Sequence, residues 1–239
     1  MTSKKIVAII VPTFNERDNI ARLIKSIRMN ANPHDKIIVV DDNSPDGTGK
    51  VVEGLAKKQK NIYLVLRQNK SGRGSAVLDG FKFAQKFKPS FYIEMDADFS
   101  HKPEDIPRLL KAVEEADVVI GSRYLKGARI INWSIKRKVF SKLANIYAKI
   151  ILKVPIADYT NGFRIYKKEA VNFLLSQKLV SFGYILLSET AYKLKEAGFT
   201  FREIPIVFVN RKRGASNLNF AEIKNAFFGV WQTRFTKPS

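Results

Sequence analysis

The chain has 239 residues, with 42 Lys and Arg against 22 Asp and Glu, a formal charge of +20 and a pI of about 10. A hydrophobic content of 45% supports a sizeable core and excludes intrinsic disorder, while the lack of cysteine excludes a disulfide scaffold, a thiolate metal site and a cysteine nucleophile. Residues 1–120 hold 20 basic and 16 acidic side chains, leaving 22 basic and 6 acidic for 121–239, so the cationic excess and an anionic partner belong to the second half.

In chain order, the opening MTSKK before IVAIIV is too short for a secretory hydrophobic region, and Ile6–Val11 reads as a first strand. Ile37–Val40, Ile62–Leu66, Phe91–Met95 and Val118–Ile120 are further short apolar runs bounded by turn residues, as in the buried parallel strands of βαβ units. Between them, Glu16–Met29 sets Ile20, Leu23, Ile24 and Ile27 on one helical face, and Thr48–Gln59, Ala76–Phe87 and Glu104–Glu115 read as helices too. The expected fold is α/β, an open, doubly wound, mostly parallel sheet that binds ligands in the loops beyond the carboxyl ends of its strands. From about residue 132 the pattern changes. A long helix Ser134–Leu152 is followed by a mixed segment Asp158–Arg164, a helix around Leu186–Ala197, a strand Phe201–Val209, a basic loop and a last helix Phe220–Phe235. A single domain over 1–239 is expected, with a nucleotide and metal half to about 125 and an acceptor half from about 126.

Three strand-end loops carry carboxylates. Pro12–Glu16 follows the first strand, and Asp41-Asp42-Asn43-Ser44-Pro45-Asp46-Gly47-Thr48 the second, where a turn with a helix cap competes with a ribose or base contact by Asp42. After the fourth strand comes Glu94-Met-Asp96-Ala-Asp98-Phe-Ser100-His101-Lys-Pro103. Two carboxylates projected at one spot repel each other unless a cation joins them, and hard oxygen ligands suit Mg²⁺ or Mn²⁺ bridging a diphosphate. His101 reads as a loop hydrogen-bonding residue rather than a ligand. Lys70-Ser-Gly72-Arg73-Gly74-Ser75 looks like a loop whose backbone approaches a ligand, with Arg73 as an optional phosphate contact.

Together with Val119-Ile-Gly-Ser-Arg-Tyr124, Glu203-Ile-Pro-Ile206 and Arg211, these motifs resemble the dolichyl-phosphate mannosyltransferases, inverting family 2 glycosyltransferases of GT-A (Rossmann-like) fold, from about Ile6 to Leu218. The resemblance implies transfer of mannose from GDP-mannose to dolichyl or another polyprenyl phosphate, with polyprenyl-phosphate glucosyltransfer as the alternative. By similarity, Pro12, Phe14 and Glu16 contact the nucleotide, and Val40 and Asp42 hold base and ribose. Phe14 stands where the family usually has Tyr, which keeps stacking and loses a phenolic hydrogen bond. Asp96, Ala97 and Asp98 approach ribose, metal and diphosphate. Ser100 falls where some members have a Gln metal ligand, so Asp96, Asp98 and Ser100 are the expected metal set. Arg123 and Arg211 match arginines at the donor and acceptor phosphates, which makes Asp98, Arg123 and Arg211 the expected catalytic residues. Asn217 stands where the family has a donor-site Lys, and Leu187 where a Gln is common.

A phosphomonoester acceptor has a second pKa near ~6 and is largely dianionic at neutral pH, so no general base is expected. In Ser134–Leu152, apolar residues 135, 139, 143, 146 and 150 recur at helical spacing among Lys136, Lys138, Lys142 and Lys149, with Trp133 at the head. That pattern fits an amphipathic helix at a membrane interface; the competing reading packs the stripe on the sheet. The last helix, with Phe220, Ile223, Phe227, Phe228, Val230 and Trp231, is a second interfacial candidate. No run of about 18 apolar residues occurs, so contact with the cytoplasmic face of a membrane is expected to be peripheral, held directly or through a membrane-anchoring partner. A nucleic-acid-binding protein would exploit the basic half, but has no use for Asp41, Asp42, Asp96 and Asp98 at strand ends. A non-catalytic binding module for anionic membranes is the remaining alternative from another class. A processive polysaccharide synthase would carry Gln-x-x-Arg-Trp, and Gln232-Thr-Arg234-Phe235 has the wrong spacing.

Overall fold

The apolar runs form strands and the periodic stretches between them form helices. A computed structural model describes residues 5–68, 72–179, 181, 183, 185–210 and 220–235. In chain order these are β1 (Val7–Thr13), α1 (Arg17–Asn30), β2 (Lys36–Asp41), α2 (Thr48–Lys58), β3 (Ile62–Leu66), α3 (Arg73–Ala84), β4 (Phe91–Glu94), α4 (Ile106–Ala112) and β5 (Val118–Ser122). Then follow β6 (Arg129–Ile131), α5 (Ile135–Leu152), β7 (Arg164–Lys167), α6 (Lys168–Ser176), α7 (Ile185–Glu196), β8 (Phe201–Pro205), β9 (Val207–Val209) and α8 (Phe220–Phe235).

Seven strands make one twisted sheet in the order β3-β2-β1-β4-β7-β5-β8, and all pairs are parallel except those of β7. Each face is covered, which is why the parallel strands read as unbroken apolar runs rather than alternating ones. Ile20, Leu23, Ile24 and Ile27 of α1 pack with Ile9, Val11 and Val39 on one face, joined by Val52 of α2 and by Ile106 and Leu109 of α4. On the other face Ala8, Ile10, Ile38 and Val40 meet Ala76, Val77 and Phe81 of α3, and the same layer continues through α5, α6 and α7. Helix α3 lies so close to the sheet that a Cβ at Gly80 would stand 2.5 Å from Ile10 Cγ2 and 3.1 Å from Val40 Cγ2.

Several elements of the second half depart from the sequence expectation, the short strand β6 among them. Strand β7, inside the segment left as mixed, inserts antiparallel between β4 and β5, because Arg164-Ile-Tyr-Lys167 finds backbone partners on both sides: Ile93 and Val119 both pair with Ile165. The expected strand Phe201–Val209 divides at Ile206. Ile206 N still donates to Ser122 O of β5 (3.1 Å), but Ile206 O accepts from Arg129 N, and from there β9 moves away to pair with β6 in a separate two-stranded sheet. Helix α6 follows β7 directly.

The loops at the carboxyl ends of β1, β2 and β4 each contain a non-glycine residue in the left-handed region: Asn15 (φ 60°), Asn43 (φ 54°) and Phe99 (φ 61°). Asn tolerates this conformation. A Phe there costs roughly 1–2 kcal/mol, offset by packing of the Phe99 ring on the core and by Arg22 lying 5.5 Å from its centroid. The chain is thus bent sharply in the three loops that bear the carboxylates.

Candidate active site

The first two loops are stitched together before any ligand is considered. Asp41 Oδ1 accepts from Thr13 Oγ1 (2.8 Å) and Ser44 Oγ (2.6 Å), and its Oδ2 accepts from Ser44 N (3.0 Å). Asp46 accepts from Thr48 N, Thr48 Oγ1 and Arg17 N, while Thr48 Oγ1 in turn accepts from Glu16 N (2.9 Å). Of the adjacent carboxylates, Asp41 is therefore a clasp between loops. Asp42 instead faces Arg67 (2.9 Å) and accepts from Gly72 N (3.3 Å) at the head of α3. Phe14 is 36% exposed on this rim, next to half-buried Pro12 and Glu16. The Val40 side chain is wholly in the core, so only its backbone faces the loops.

The loop after β4 is held by a neutral imidazole. Asp96 N donates to His101 Nδ1 (3.0 Å), so the proton sits on Nε2, which donates to Asn161 Oδ1 (2.8 Å); Asn161 Nδ2 then donates to Gly121 O. His101 is fully buried and stacks on Phe163 at 5.1 Å, which makes it the loop residue the sequence implied. Ala97 packs in the core beneath the turn. Asp98 Oδ1 accepts from Ser100 N (3.0 Å), while the buried Ser100 Oγ has no hydrogen-bond partner in the structure. Asp96 Oδ1 accepts from Arg73 Nε at 2.6 Å. Burial alone would raise the Asp96 carboxyl, but the Arg73 charge and hydrogen bond, with more distant Arg123, bring it down to about 2, so it is anionic at any physiological pH.

Among the described residues no three His, Asp or Glu side chains converge as a ready-made metal cage. Two carboxylates with an unsatisfied hydroxyl beside them still fit a hard divalent cation that takes its remaining oxygens from a diphosphate, the usual habit of Mg²⁺ at phosphate sites.

Arg123 is placed differently from a free phosphate ligand. Its Nε and Nη2 donate to Asp158 Oδ2 and Oδ1, both at 2.7 Å, and Nη2 also donates to Thr160 Oγ1 (2.6 Å). Trp133, Phe208 and Tyr124 wall the guanidinium at 5.3 to 5.6 Å from their centroids. Desolvation would raise the Asp158 carboxyl, yet the Arg123 charge and hydrogen bonds hold it below the usual range. Arg73 likewise spends its guanidinium inside the protein, on Asp96, Glu94 and Gly162 O, and not on a phosphate. Trp133 packs on Phe208 and under Arg137 (4.2 Å) rather than reaching outward as a lipid anchor. Arg211 and Asn217 lie outside the described residues.

Several supports escaped sequence reasoning: Asp158, Asn161, Arg164, Arg137 and Glu203. Asp158-Tyr-Thr-Asn-Gly-Phe-Arg164 signals only a polar turn, yet Arg164 is completely buried and donates to the carbonyls of Asn161, Leu187 and Tyr159. Glu203 caps the same loop, accepting from Ala157 N and Asp158 N, and burial pushes its carboxyl up.

On α5 the stripe of Ile135, Val139, Leu143, Ile146 and Ile150 is exposed, and the buried side chains are Asn145, Ala148 and Leu152 on the opposite face. Phe227, Phe228, Trp231 and Phe235 of α8 are exposed too, and Tyr147 joins the helices through a tilted ring contact with Phe227 at 4.4 Å. Lys136, Lys138, Lys142 and Lys149 are all exposed around the stripe. No helix among the described residues is long and apolar enough to cross a membrane.

The sequence family described as Glycosyl transferase family 2 matches residues 8–175. The polyprenol monophosphomannose synthase of Mycolicibacterium smegmatis is 39% identical over 224 residues, covering 93% of this chain and 84% of that protein. The undecaprenyl-phosphate mannosyltransferase of Micrococcus luteus is 34% identical over 221 residues, covering 92% and 90%. Among solved structures, glucosyl-3-phosphoglycerate synthase from Mycobacterium tuberculosis, in complex with Mn²⁺, UDP and glucosyl-3-phosphoglycerate, superposes with a TM-score of 0.68 at 16% identity, over 98% of this chain and 81% of that one. The last likeness establishes the fold as GT-A.

Proposed function

The chain belongs to glycosyl transferase family 2 and is a glycosyltransferase, and from that premise we propose that it transfers mannose from GDP-mannose to a polyprenyl phosphate, of the dolichyl class, with inversion at the anomeric carbon. The observation that carries the reading is that two relatives, each similar over nine-tenths of this chain, are both named for mannose and polyprenyl phosphate. The site supports it chemically. Phe14 would stack on a base, and Asp42 and the Pro12–Glu16 rim would receive base and ribose. Asp96 and Asp98, with Ser100 beside them, would hold Mg²⁺ or Mn²⁺ on the diphosphate, where the metal's charge would stabilise the leaving group.

The acceptor phosphate oxygen attacks the anomeric carbon opposite the leaving diphosphate. Because a phosphomonoester is already mostly dianionic at neutral pH, with a second pKa near ~6, no side chain need take a proton. In this reading Arg123 exchanges part of its hold on Asp158 for phosphate oxygens and Arg211 supplies the second fork, while Trp133, Phe208 and Tyr124 keep bulk water from the Arg123 guanidinium.

The second half of the chain brings the acceptor. A lipid phosphate presents its charged group at the bilayer surface, so the enzyme must come to it. The exposed stripe of α5, joined by the aromatic face of α8 and flanked by exposed lysines, suits peripheral docking on an anionic leaflet. The test is a matrix of labelled nucleotide sugars against dolichyl and undecaprenyl phosphate in detergent or vesicles. GDP-mannose is expected to give lipid-linked mannose, and a preference for another sugar nucleotide would replace that donor.

A further inference from the structure

Arg73 is the first residue of α3, yet its side chain turns away from the helix into the junction of three elements. Nε donates to Asp96 Oδ1 (2.6 Å), Nη1 to Glu94 Oε2 (2.8 Å) and Nη2 to the carbonyl of Gly162 (2.8 Å). The other Glu94 oxygen accepts from Tyr166 OH at 2.6 Å, so Glu94 is fixed from β7 as well. Room for the guanidinium exists because residue 162 is glycine, whose Cβ position, if filled, would overlap the Arg73 head group. The Arg73 side chain is only 16% exposed, and the Glu94 carboxylate is 2% exposed.

The chemistry of the pairing is asymmetric. Only one oxygen of Asp96 is engaged by the planar fork. The other, Oδ2, has among the described residues no closer basic neighbour than His101 Nε2 at 3.8 Å, a nitrogen whose proton is already given to Asn161. Asp98 is held in a similar way, with Oδ1 on Ser100 N. Each carboxylate is therefore tethered through one oxygen, leaving the other to a ligand. We propose that Arg73 is the positioning residue for Asp96: it fixes the carboxylate through Oδ1, so that Oδ2 is presented to the divalent cation of the nucleotide diphosphate, and it ties that geometry to the acceptor-side loop at Gly162. The proposal rests on the metal–diphosphate reading of Asp96 and Asp98 given above.

Electrostatics alone would argue the reverse. A guanidinium beside Asp96 lowers the negative charge of the site, so deleting it should tighten a cation if charge were all that mattered. Positioning predicts loosening, because a partner that orients a metal ligand is commonly worth 10- to 100-fold in metal affinity. The sign of the effect separates the two.

The experiment measures Mn²⁺ binding by electron paramagnetic resonance on the full chain in the presence of GDP, without turnover, for the wild type, Arg73→Gln, Arg73→Lys, Gly162→Ala and Asp98→Ala, with melting followed by circular dichroism. Arg73→Gln is expected to weaken Mn²⁺ about tenfold or more. Arg73→Lys should remain impaired, since an ammonium restores charge but not the fork. Gly162→Ala should act like Arg73→Gln while leaving every charge in place, and it decides the matter if Arg73→Gln does not fold. Mn²⁺ affinity within threefold of wild type in these variants, tighter binding in Arg73→Gln, or full recovery in Arg73→Lys overturns the proposal. Asp98→Ala separates the two levels: if it too leaves Mn²⁺ binding unchanged, the metal reading itself fails, whereas loss in Asp98→Ala alone removes only Arg73.

Discussion

Replacing three residues of the exposed α5 stripe, Ile135→Gln, Leu143→Gln and Ile150→Gln, should abolish bilayer docking without touching the fold. These side chains are 80%, 57% and 66% exposed. They lie within about 80° of one another around the helix, given 3.6 residues per turn. Fully burying one aliphatic side chain of this size is worth about 1.5–3 kcal/mol, and lipid contact can remove only the fraction now open to water. Each position then contributes about 1–2 kcal/mol, and the three together about 4 kcal/mol, close to a 10³-fold change in partitioning at 1.4 kcal/mol per decade. Since the same side chains make little contact in solution, the substitutions fall in the class that shifts stability by about 0.5 kcal/mol or less, and Gln keeps the helix propensity. The assay is sedimentation with sucrose-loaded vesicles containing roughly a third anionic lipid, alongside thermal melting of the free protein. Lys138→Gln with Lys142→Gln should cost a further ~1 kcal/mol per charge on anionic vesicles and nothing on neutral ones, and the loss should shrink as salt screens the surface. Unchanged vesicle partitioning in the triple variant, with melting also unchanged, would refute the assignment of this face to the membrane.

Asp98→Ala should abolish sugar transfer to a polyprenyl phosphate while leaving vesicle association intact; transfer at wild-type rate by chelator-treated enzyme would remove the metal from the mechanism. Asp158→Ala should destabilise the fold by about 3–5 kcal/mol in urea unfolding, because it strands the Arg123 guanidinium, 6% exposed, opposite a lost bidentate partner, and a loss under about 1 kcal/mol would contradict that account. The Asp96 carboxyl titrates at about 2 in the folded chain against 3.8 as its ordinary value, so the folded state favours the charged form. Its contribution, about 2 kcal/mol, is fully present above pH ~4.5 and is lost as pH falls through about 2. The stability difference between wild type and Asp96→Asn in urea should therefore narrow between pH 5 and pH 2.5, and a pH-independent difference would show that Arg73 does not hold this carboxyl down.

The sequence alone determined the strands of the first half and the carboxylate-bearing loops at their carboxyl ends. Unbroken β-branched runs reveal strands buried on both faces, and helical periodicity sets the elements between them, so the loops bearing Asp42, Asp96 and Asp98 could be put at one edge of the sheet before any coordinates. The exposed stripe of α5 was legible as a pattern, but not its direction. A helix with apolar residues every three or four positions can face core or solvent, and only the packing of Asn145, Ala148 and Leu152 against the protein shows that the stripe points out. The partners of the arginines were beyond sequence altogether. Arg73 meets Gly162, and Arg123 meets Asp158, across 89 and 35 residues. What brings them together is the antiparallel insertion of β7, whose Arg164-Ile-Tyr-Lys167 has charged ends and lacks the unbroken apolar run by which β1 to β5 were read. Local propensity sees the neighbours of a residue in the chain, whereas the charge opposite a buried guanidinium is chosen by the sheet that forms around it.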